Sequence, residues 1–332
     1  MSEGINWDVQ IGRRLRLRDL HAFLTVVQRG SMAKAAEQLR VSQPAISKVV
    51  ADLEHALGVR LLDRGRRGVE PTLYGRALVK RAMIAFDELK QGVRDIAFLA
   101  DPTAGDLTIG CADSIAATIL RPIIDRFSAK HPSVVVRVET IPSPAINDTG
   151  LHDRKFDLVL GRRPMQLVDL PDDLHVEFLF DDRLVVTAGR HTIWARRRKI
   201  TLADLADQPW VLPPKERSWT YGFVAQAFAA HGLDMPKVSL MTFSLPLVMH
   251  ALTTGSVITV LPSTVTSLHA GSELLKVLPV ELPACSWPVE IVTLKNRTLS
   301  PVADRFIDCA RDFAGSFGGV GARRRLPKGK HG

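Results

Sequence analysis

The sequence predicts an α/β protein in three parts: a winged helix-turn-helix, a long linker helix and two α/β lobes. Three observations lead to this prediction. Two short helical patterns joined by a tight turn occupy residues 31–57, and a basic segment with glycines follows them. An apolar repeat close to a coiled-coil seam then runs to about Ala100. Beyond it, strand and helix patterns alternate over a stretch long enough for two packed units.

The helix-turn-helix begins with two capping signals. Ser31 is placed to cap the first helix and Ser42 to cap the second. Pro44 falls in the first turn of the second helix, where its missing N–H is harmless. An apolar stripe at helical spacing follows, which we expect to pack inward; it consists of Ile46, Val50, Leu53 and Leu57.

The opposite side of the second helix is polar at its start. Gln43, Ser47 and Lys48 can exchange hydrogen bonds with base edges or phosphates, and a helix-turn-helix inserts this end in the major groove. A solvated helix pair gives the same pattern. The segment Arg60–Pro71 favours the DNA interpretation, because it predicts a short β-ribbon with a cationic tip. The predicted DNA-binding residues are Ser31, Ser42, Gln43, Pro44, Ser47, Lys48, Arg64, Arg66 and Arg67. We therefore assign residues 1–71 to a winged helix-turn-helix that binds double-stranded DNA.

The linker helix is predicted over residues 72–100, with Thr72 as its cap. At ~1.5 Å per residue it would span roughly 43 Å, far more than a winged module needs. Its seam either packs against the C-terminal domain or pairs with the same helix of a second subunit. Pairing would place two recognition helices on two half-sites. The predicted dimerisation residues are Leu78, Ala82, Ala85, Leu89, Val93 and Ile96.

Residues 101–105 have the composition of a hinge, and a βαβαβ pattern follows them. This order is typical of a parallel sheet. The predicted strands are 107–111, 134–140 and 158–160, and the predicted helices are 115–130 and about 146–152. We assign residues 106–178 to effector lobe I, together with a closing helix that Ser300 caps, in residues 300–315.

A second unit of similar pattern begins near Phe178, and we assign residues 179–299 to effector lobe II. Its predicted strands are 184–188, 210–212, 256–260 and 289–293, and its predicted helices are 202–206, 221–230 and 244–253. Two such lobes predict a small-ligand cleft between them, with helix starts at the strand ends.

The residues after the strands are the expected effector-binding set. They are Asp113, Ser114, Ser143, Pro144, Gly161, Arg162, Ser218, Trp219, Thr220 and Ser244. Hydroxyl and backbone N–H groups at helix starts favour an anionic or polyhydroxyl ligand, and Arg162 could pair with a carboxylate. Ser114, Ser218 and Ser244 equally have the pattern of ordinary helix caps, and Arg162 and Arg163 that of solvated charges. A sugar, a sugar acid and an aromatic acid are all compatible.

Positive charge is concentrated at the two ends of the chain. Residues 1–100 carry 17 Lys and Arg against 11 Asp and Glu, whereas residues 101–310 carry 21 against 23, and the net charge is +9. The basic front should displace counterions from phosphate, so that DNA affinity falls steeply with salt. We interpret residues 316–332 as a disordered basic tail rather than a second DNA arm.

Other signals limit location and chemistry. The N-terminus lacks the apolar core of a signal peptide, so we expect a cytoplasmic protein without membrane attachment. Cys111, Cys285 and Cys309 lack metal-ligand spacing, which suits a reducing compartment; Cys111 is either an inert buried thiol or a redox sensor. We find no nucleophile elbow, dinucleotide or phosphate loop and no closely spaced His pair, so we expect no enzyme, metal or cofactor.

The alternative to a DNA-binding protein is a small-molecule carrier, because the C-terminal two-thirds of the chain resembles a solute-binding protein. A carrier has no use for a recognition helix, a cationic wing or a long dimerising helix. Deletion of residues 1–71 would separate the two, since a regulator would lose DNA binding and keep its ligand.

The first hundred residues resemble the winged helix-turn-helix and linker helix of LysR-type transcriptional regulators. The remainder resembles that family's two-lobed, periplasmic-binding-protein-like effector domain. The stretch that carries the first resemblance is LRDLHAFLTVVQRGSMAKAAEQLRVSQPAISKVVADLEHALGVRLLDRGRRGVEPTLYGRALVKRA. The motifs DRGRRGVEPT and ADLADQPWVLPP are similar to the galactose-binding-protein regulators within the family.

The resemblance implies a transcription factor that activates or represses promoters when a small molecule binds between its lobes. It implies a homotetramer built as a dimer of dimers, with RNA polymerase as a partner. By motif, Gln43, Pro44, Ser47 and Lys48 match the groove-facing helix start, and Arg64 with Arg66 or Arg67 matches the wing. Lys48 stands where the family often has Arg, which weakens the case for bidentate guanine recognition.

Overall fold

The computed structural model describes residues 15–65, 68–101, 103–141, 150–162, 171–269, 271–284 and 287–317. The chain divides into two compact units, Met1–Gly92 and Val93–Gly332, with the boundary inside the linker helix. Among the described residues, no helix is both long enough and apolar enough to span a membrane.

The described residues of the N-terminal unit form three helices, a two-stranded wing and the first part of the linker helix. Its elements are α1 (Leu17–Arg29), α2 (Met32–Leu39), α3 (Gln43–Leu57), β1 (Leu62–Gly65), β2 (Gly68–Pro71) and α4 (Leu73–Ala100). β1 and β2 pair antiparallel. The predicted helix-turn-helix and wing are therefore confirmed in arrangement.

The helix caps are those that the sequence predicts. The Ser31 hydroxyl accepts the N–H of Lys34, and the Ser42 hydroxyl accepts the N–H of Ala45. Thr72 accepts the N–H of Gly75 at 3.0 Å, so it caps α4. Each cap satisfies one of the N–H groups that a helix start leaves without an intrahelical partner.

The apolar stripe of α3 builds the core of this unit. Ile46, Val50 and Leu53 are at most 2% exposed, and they pack with Phe23 and Val26 of α1. Because the stripe is buried, the other side of α3 is held toward solvent.

Two contacts fix the wing. The Glu54 carboxylate on α3 accepts the N–H groups of Leu61 at 2.7 Å and Leu62 at 3.1 Å. Gly68 has a φ of +117°, and a Cβ built there would lie 2.6 Å from the Gly30 carbonyl oxygen. Only glycine fits this position, so the wing is anchored both to α3 and to the end of α1.

The C-terminal end of α4 belongs to the second unit, and its side chains contact lobe I. Arg94 on α4 forms an ion pair with the buried Asp157 at 3.0 Å, and Arg297 reaches the same carboxylate at 3.0 Å. The Arg305 guanidinium lies 4.6 Å from the centre of the Phe98 ring. The last turns of α4 are therefore part of lobe I.

Lobe I is a five-stranded sheet of order β4-β3-β5-β12-β6 with helices packed on it. Its core includes Ile109, Leu160 and Phe306. Its elements are β3 (Ala104–Cys111), α5 (Asp113–Ile115), a π-helical segment (Ala116–Leu120), α6 (Arg121–Lys130), β4 (Ser133–Thr140), β5 (Leu158–Arg162), β6 (Leu174–Asp182), β12 (Trp287–Leu294) and α11 (Pro301–Phe317). Ser300 caps α11 as predicted, since its hydroxyl accepts the N–H of Ala303.

Lobe II has a second five-stranded sheet, of order β11-β7-β10-β8-β9. Trp210 and Phe228 are fully buried in its core, with their ring centres 5.4 Å apart. Its elements are β7 (Leu184–Gly189), a 3₁₀ turn (Ile193–Arg196), α7 (Leu202–Leu205), β8 (Trp210–Leu212), a 3₁₀ turn (Lys215–Arg217), α8 (Trp219–Ala229), β9 (Val238–Met241), α9 (Leu245–Thr254), β10 (Ile258–Pro262), α10 (Ser263–Leu268), a 3₁₀ turn (Ser272–Leu274) and β11 (Leu275–Val277).

The structure corrects the sequence prediction of the lobes in two respects. Both sheets are mixed rather than parallel, because β12 runs antiparallel to β5 and β6, and β7 runs antiparallel to β10 and β11. β12 also belongs to lobe I, although we assigned residues 179–299 to lobe II. The chain returns to lobe I before residue 287, and a local strand pattern does not show which sheet a strand joins.

Several elements lie outside the sequence prediction. β6, β9, β11 and α10 were not predicted. The predicted helix at about 146–152 falls mostly outside the described residues, and Leu151–Arg154 form a turn rather than a helix.

Candidate nucleic-acid interface and ligand cavity

The start of α3 presents polar side chains to solvent. Gln43, Pro44 and Lys48 are exposed, and Ser47 is partly exposed. Amide, hydroxyl and ammonium groups on one helix start can contact base edges and phosphates, and the first-turn N–H groups and helix dipole favour an anion there.

The other predicted DNA-binding residues fall into two groups. The hydroxyl oxygens of Ser31 and Ser42 are engaged in helix caps, so these residues position the helices. Arg64 is exposed on β1 of the wing. Arg66 and Arg67 lie outside the described residues.

The predicted dimerisation seam divides into a buried and an exposed part. Leu78 packs against the core of its own N-terminal unit and is partly buried, whereas Ala82 is only 3% exposed and is not available to a partner. Leu89, Val93 and Ile96 are 50%, 67% and 69% exposed, and Ala85 is exposed as well. The seam prediction is therefore wrong for Ala82, because the start of α4 is partly buried in its own unit, and it stays a prediction for the other five residues.

A cavity of about 450 Å³ lies between the two lobes, within the size range of small-ligand sites. Lobe I contributes the start of α5, the end of β4 and the start of β12, and lobe II contributes strand ends and two helix starts. The lining residues are Ala112, Asp113, Ser114, Thr140, Ile141, Leu184, Val211, Leu212, Pro213, Ser218, Thr220, Thr242, Phe243, Ser244, Leu245, Pro246, Val248, Thr259, Val260, Leu261, Pro262 and Trp287.

Half of the predicted effector-binding residues lie in this wall: Asp113, Ser114, Ser218, Thr220 and Ser244. Ser143 and Pro144 lie outside the described residues. Gly161 and Trp219 are not among the lining residues. Gly161 is within the sheet opposite Glu290, and the Trp219 ring stacks on Phe223 at 5.1 Å.

The structure corrects the prediction that Arg162 pairs with the carboxylate of a ligand. Its side chain is buried and its Nε donates to the Asp182 carboxylate at 3.1 Å. Its two terminal nitrogens donate to Ser114 Oγ at 2.9 Å and Thr264 Oγ1 at 2.7 Å. Burial lowers the pKa of the guanidinium, and the Asp182 charge opposes this shift. A buried and already paired guanidinium does not face the cavity as a ligand for an acid.

The network around Asp182 joins the two lobes. Asp182 ends β6 of lobe I, and its carboxylate accepts the hydroxyls of Ser263 and Thr264 from lobe II, each at 2.7 Å. Ser114 belongs both to this network, through Arg162, and to the cavity wall.

The start of α9 forms one polar edge of the cavity, and its N–H groups are occupied. The Leu245 N–H donates to Asp113 Oδ2 of lobe I at 2.9 Å, Pro246 has no N–H, and the Leu247 N–H donates to Ser244 Oγ. The Ser244 N–H donates to Thr242 Oγ1 at 3.0 Å. Ser244 thus has the helix-cap role that we weighed against ligand binding.

Sequence reasoning missed several lining residues at or next to strand ends: Thr242, Phe243 and Thr259 of lobe II and Trp287 at the start of β12 of lobe I. Their position at strand ends is the sequence signal that could have identified them. Thr259 is of limited use to a ligand, since its hydroxyl donates to the Val211 carbonyl at 2.6 Å.

Cys111 is an inert thiol by its environment. Its side chain is fully buried, and burial raises the thiol pKa to about 12, with the Asp113 carboxylate adding to the shift. Because the reactive form is the thiolate, a raised pKa keeps the group protonated and unreactive near neutral pH. The redox-sensor alternative is therefore disfavoured.

Labelling tests this directly. We expect Cys111 of the folded protein to resist iodoacetamide between pH 7 and 9 and to react fully in denaturant, as read by peptide mass spectrometry. Rapid modification in the native state would contradict the buried, protonated thiol.

Within the described part of the chain, no group of three His, Cys, Asp or Glu side chains could hold a metal ion.

A winged helix-turn-helix followed by a two-lobed unit with a ligand-sized cavity defines a class: DNA-binding regulators with a built-in effector domain. A model of the bacterial regulatory helix-turn-helix proteins of the lysR family matches residues 17–76. The model of the LysR substrate binding domain matches residues 100–315. The chain belongs to the LysR family, and it is a ligand-responsive, DNA-binding transcriptional regulator.

Curated relatives and solved structures agree with this family. The chain is 28% identical over 298 residues to the HTH-type transcriptional regulator GbpR of Azospirillum brasilense, covering 90% of this chain and 86% of that protein. It is 25% identical to the HTH-type transcriptional regulator TdcA of Escherichia coli (strain K12), covering 95% and 98%.

The fold is similar to full-length CbnR complexed with its target DNA, with a TM-score of 0.62, 20% identity, and 90% of this chain and 100% of that chain covered. It is also similar to a full-length OxyR variant from Pseudomonas aeruginosa, with a TM-score of 0.61, 21% identity, and 90% and 94% covered. The carrier alternative is excluded by the family, whereas the galactose-binding-protein subgroup stays a prediction.

Proposed function

We propose that this regulator recognises promoter DNA through the start of α3 and the wing, and that a small molecule in the interlobe cavity controls it. The observation that supports this most is the exposure of Gln43 and Lys48 on a helix whose opposite stripe is buried. A helix held in this way presents its polar start to a groove.

Further parts of the proposal rest on the family resemblance and on the sequence. We infer a cytoplasmic homotetramer that activates or represses a small set of promoters and acts on RNA polymerase. We also infer a role in binding rather than catalysis. The cavity is the proposed place of the effector, since it is of ligand size and bounded by both lobes.

Substitutions on α3 test the DNA interface. We expect Gln43→Ala to cost about 1–3 kcal/mol of discrimination between a matched and a scrambled site. We expect Lys48→Ala to weaken binding to both sites alike and to reduce the salt dependence by roughly one phosphate contact.

Gel-shift titrations at several salt concentrations provide the measurement, with Lys80→Ala as the matched control because Lys80 is an exposed lysine on α4. Equal losses on both sites for Gln43→Ala would refute base recognition by this residue. A Lys48→Ala protein with the affinity and salt dependence of the control would refute the phosphate contact.

A charge placed on the exposed part of α4 tests dimerisation. Val93 is 67% exposed, and an apolar seam of this kind buries such residues against a partner helix. We expect Val93→Asp to shift the full chain toward smaller species in analytical ultracentrifugation, whereas Lys90→Asp, an exposed change on the same helix, leaves the distribution unchanged. Identical distributions for both variants would rule out pairing through this seam.

A further inference from the structure

The charge of the cavity wall constrains its ligand. Among the described lining residues, Asp113 is the only charged side chain. Arg162, which the sequence suggested as a partner for an acid, is buried, donates to Ser114 and is paired with Asp182. The wall therefore offers an incoming acid a carboxylate rather than a counter-charge.

Asp113 also fills the position where an anion would bind. The start of a helix attracts anions through its unpaired N–H groups and its dipole. At α9, Asp113 Oδ2 already accepts the Leu245 N–H, and the Ser244 hydroxyl accepts the Leu247 N–H. A carboxylate of the protein thus stands where the acid group of a ligand would stand.

The same carboxylate keeps acceptor capacity. Oδ2 is engaged with Leu245, while Oδ1 makes no hydrogen bond among the described residues, and Asp113 is only partly buried in the wall. An ionised carboxylate accepts hydrogen bonds and donates none. The group that suits Oδ1 is a donor, either a hydroxyl or an ammonium group.

Trp287 contributes its ring to the wall. Trp287 lines the cavity and is 7% exposed, and its indole N–H finds no acceptor among the described residues. Its ring centre lies 5.5 Å from that of Trp219, the first residue of α8, and the Ser218 side chain makes no capping bond there. The Nε1 atom itself is buried from solvent, so Trp287 offers a ligand in the cavity its ring rather than its N–H group.

We propose that Asp113 sets the charge selectivity of the cavity: the ligand presents a hydrogen-bond donor to Asp113, and it carries no acid group at the Asp113 end. This inference rests on the proposed use of the cavity as the effector site. It narrows the ligand classes expected from the sequence, since a sugar or an amine fits Asp113 and a free acid at that position does not.

Inorganic sulfate is the first probe, in thermal denaturation of the full chain. We expect wild type to show only the general stabilisation that sulfate gives to proteins. Asp113→Ala opens the start of α9, and removal of a like charge a few ångströms away should raise sulfate affinity by roughly tenfold or more. It should therefore show an additional, saturable rise in melting temperature.

Two further variants make this comparison decisive. Asp113→Asn keeps a hydrogen-bond acceptor without the charge, and it should respond between wild type and Asp113→Ala. Asp234→Ala removes an exposed carboxylate outside the cavity wall and should behave as wild type. A saturable sulfate response in wild type equal to that of Asp113→Ala would overturn the proposal, as would no difference among all four proteins.

Matched compounds identify the donor. The same scaffolds are tested as the alcohol, the amine and the carboxylate, with wild type and Asp113→Ala. Stabilisation of wild type by an alcohol or an amine, weakened in Asp113→Ala, supports the proposal and distinguishes the two donors, whereas stabilisation of wild type by carboxylates alone overturns it. If none of the compounds binds, the sulfate series decides. Because no DNA is present, a failure here leaves the DNA interface untouched, and a failure of the gel shifts leaves this result standing.

Discussion

Asp182→Ala is expected to lower the free energy of unfolding of the second unit by about 3–5 kcal/mol, because it leaves a buried charge without its partner. The Arg162 side chain is 4% exposed and the Asp182 side chain is fully buried. The substitution also removes the acceptor of the Ser263 and Thr264 hydroxyls. Urea denaturation of the full chain, with the unfolding of lobe II monitored spectroscopically, measures the loss of unfolding free energy.

An exposed ion pair is the control. Arg121 Nε lies 2.9 Å from Asp125 Oδ1, but the two side chains are 75% and 57% exposed. We expect Asp125→Ala to cost only about 0–1 kcal/mol. Similar losses for the two alanine variants would show that the Asp182 network contributes no more than a surface pair.

Leu53→Ala is expected to remove about 2–5 kcal/mol from the N-terminal unit, since it leaves a cavity in the core beneath α3. Leu53 is 1% exposed. The loss should release the polar start of α3 from its fixed orientation and weaken DNA binding. Hydrogen exchange of the full chain locates the effect: protection should fall in α1–α3, while the lobe sheets keep theirs.

The neighbouring Asp52 provides the matched control, because it is exposed on the same helix. Asp52→Ala should change stability by no more than about 0.5 kcal/mol. If Leu53→Ala left α1–α3 protection unchanged, or reduced lobe protection equally, the stripe would not be the support of the recognition helix.

Features that depend on neighbours in the chain were predictable from the sequence. Ser42 caps α3 because its acceptor and the Ala45 N–H are three residues apart. The stripe of α3 follows from helical spacing alone. The winged module and the linker helix were predicted on such signals, as was the alternation of strands and helices in the lobes.

Features that depend on distant residues were not predictable. Arg162 could be proposed as a ligand group only because nothing local shows that Asp182 lies beside it on another strand. Asp113 meets Leu245 across 132 positions of the chain. Trp287 reaches the cavity because β12 returns to lobe I. Contacts between residues distant in the chain determine the chemistry of the cavity, whereas local sequence patterns were enough to predict the candidate DNA interface.

The central claim is that the start of α3 recognises a specific promoter sequence. Footprinting of the purified full chain at low ionic strength, on the intergenic region upstream of its own gene and on a random duplex of equal length, tests it most directly. The account predicts a protected site on the upstream fragment only, which is lost in Gln43→Ala while general binding remains. Equal and unlocalised binding to both fragments by the unaltered protein would contradict it.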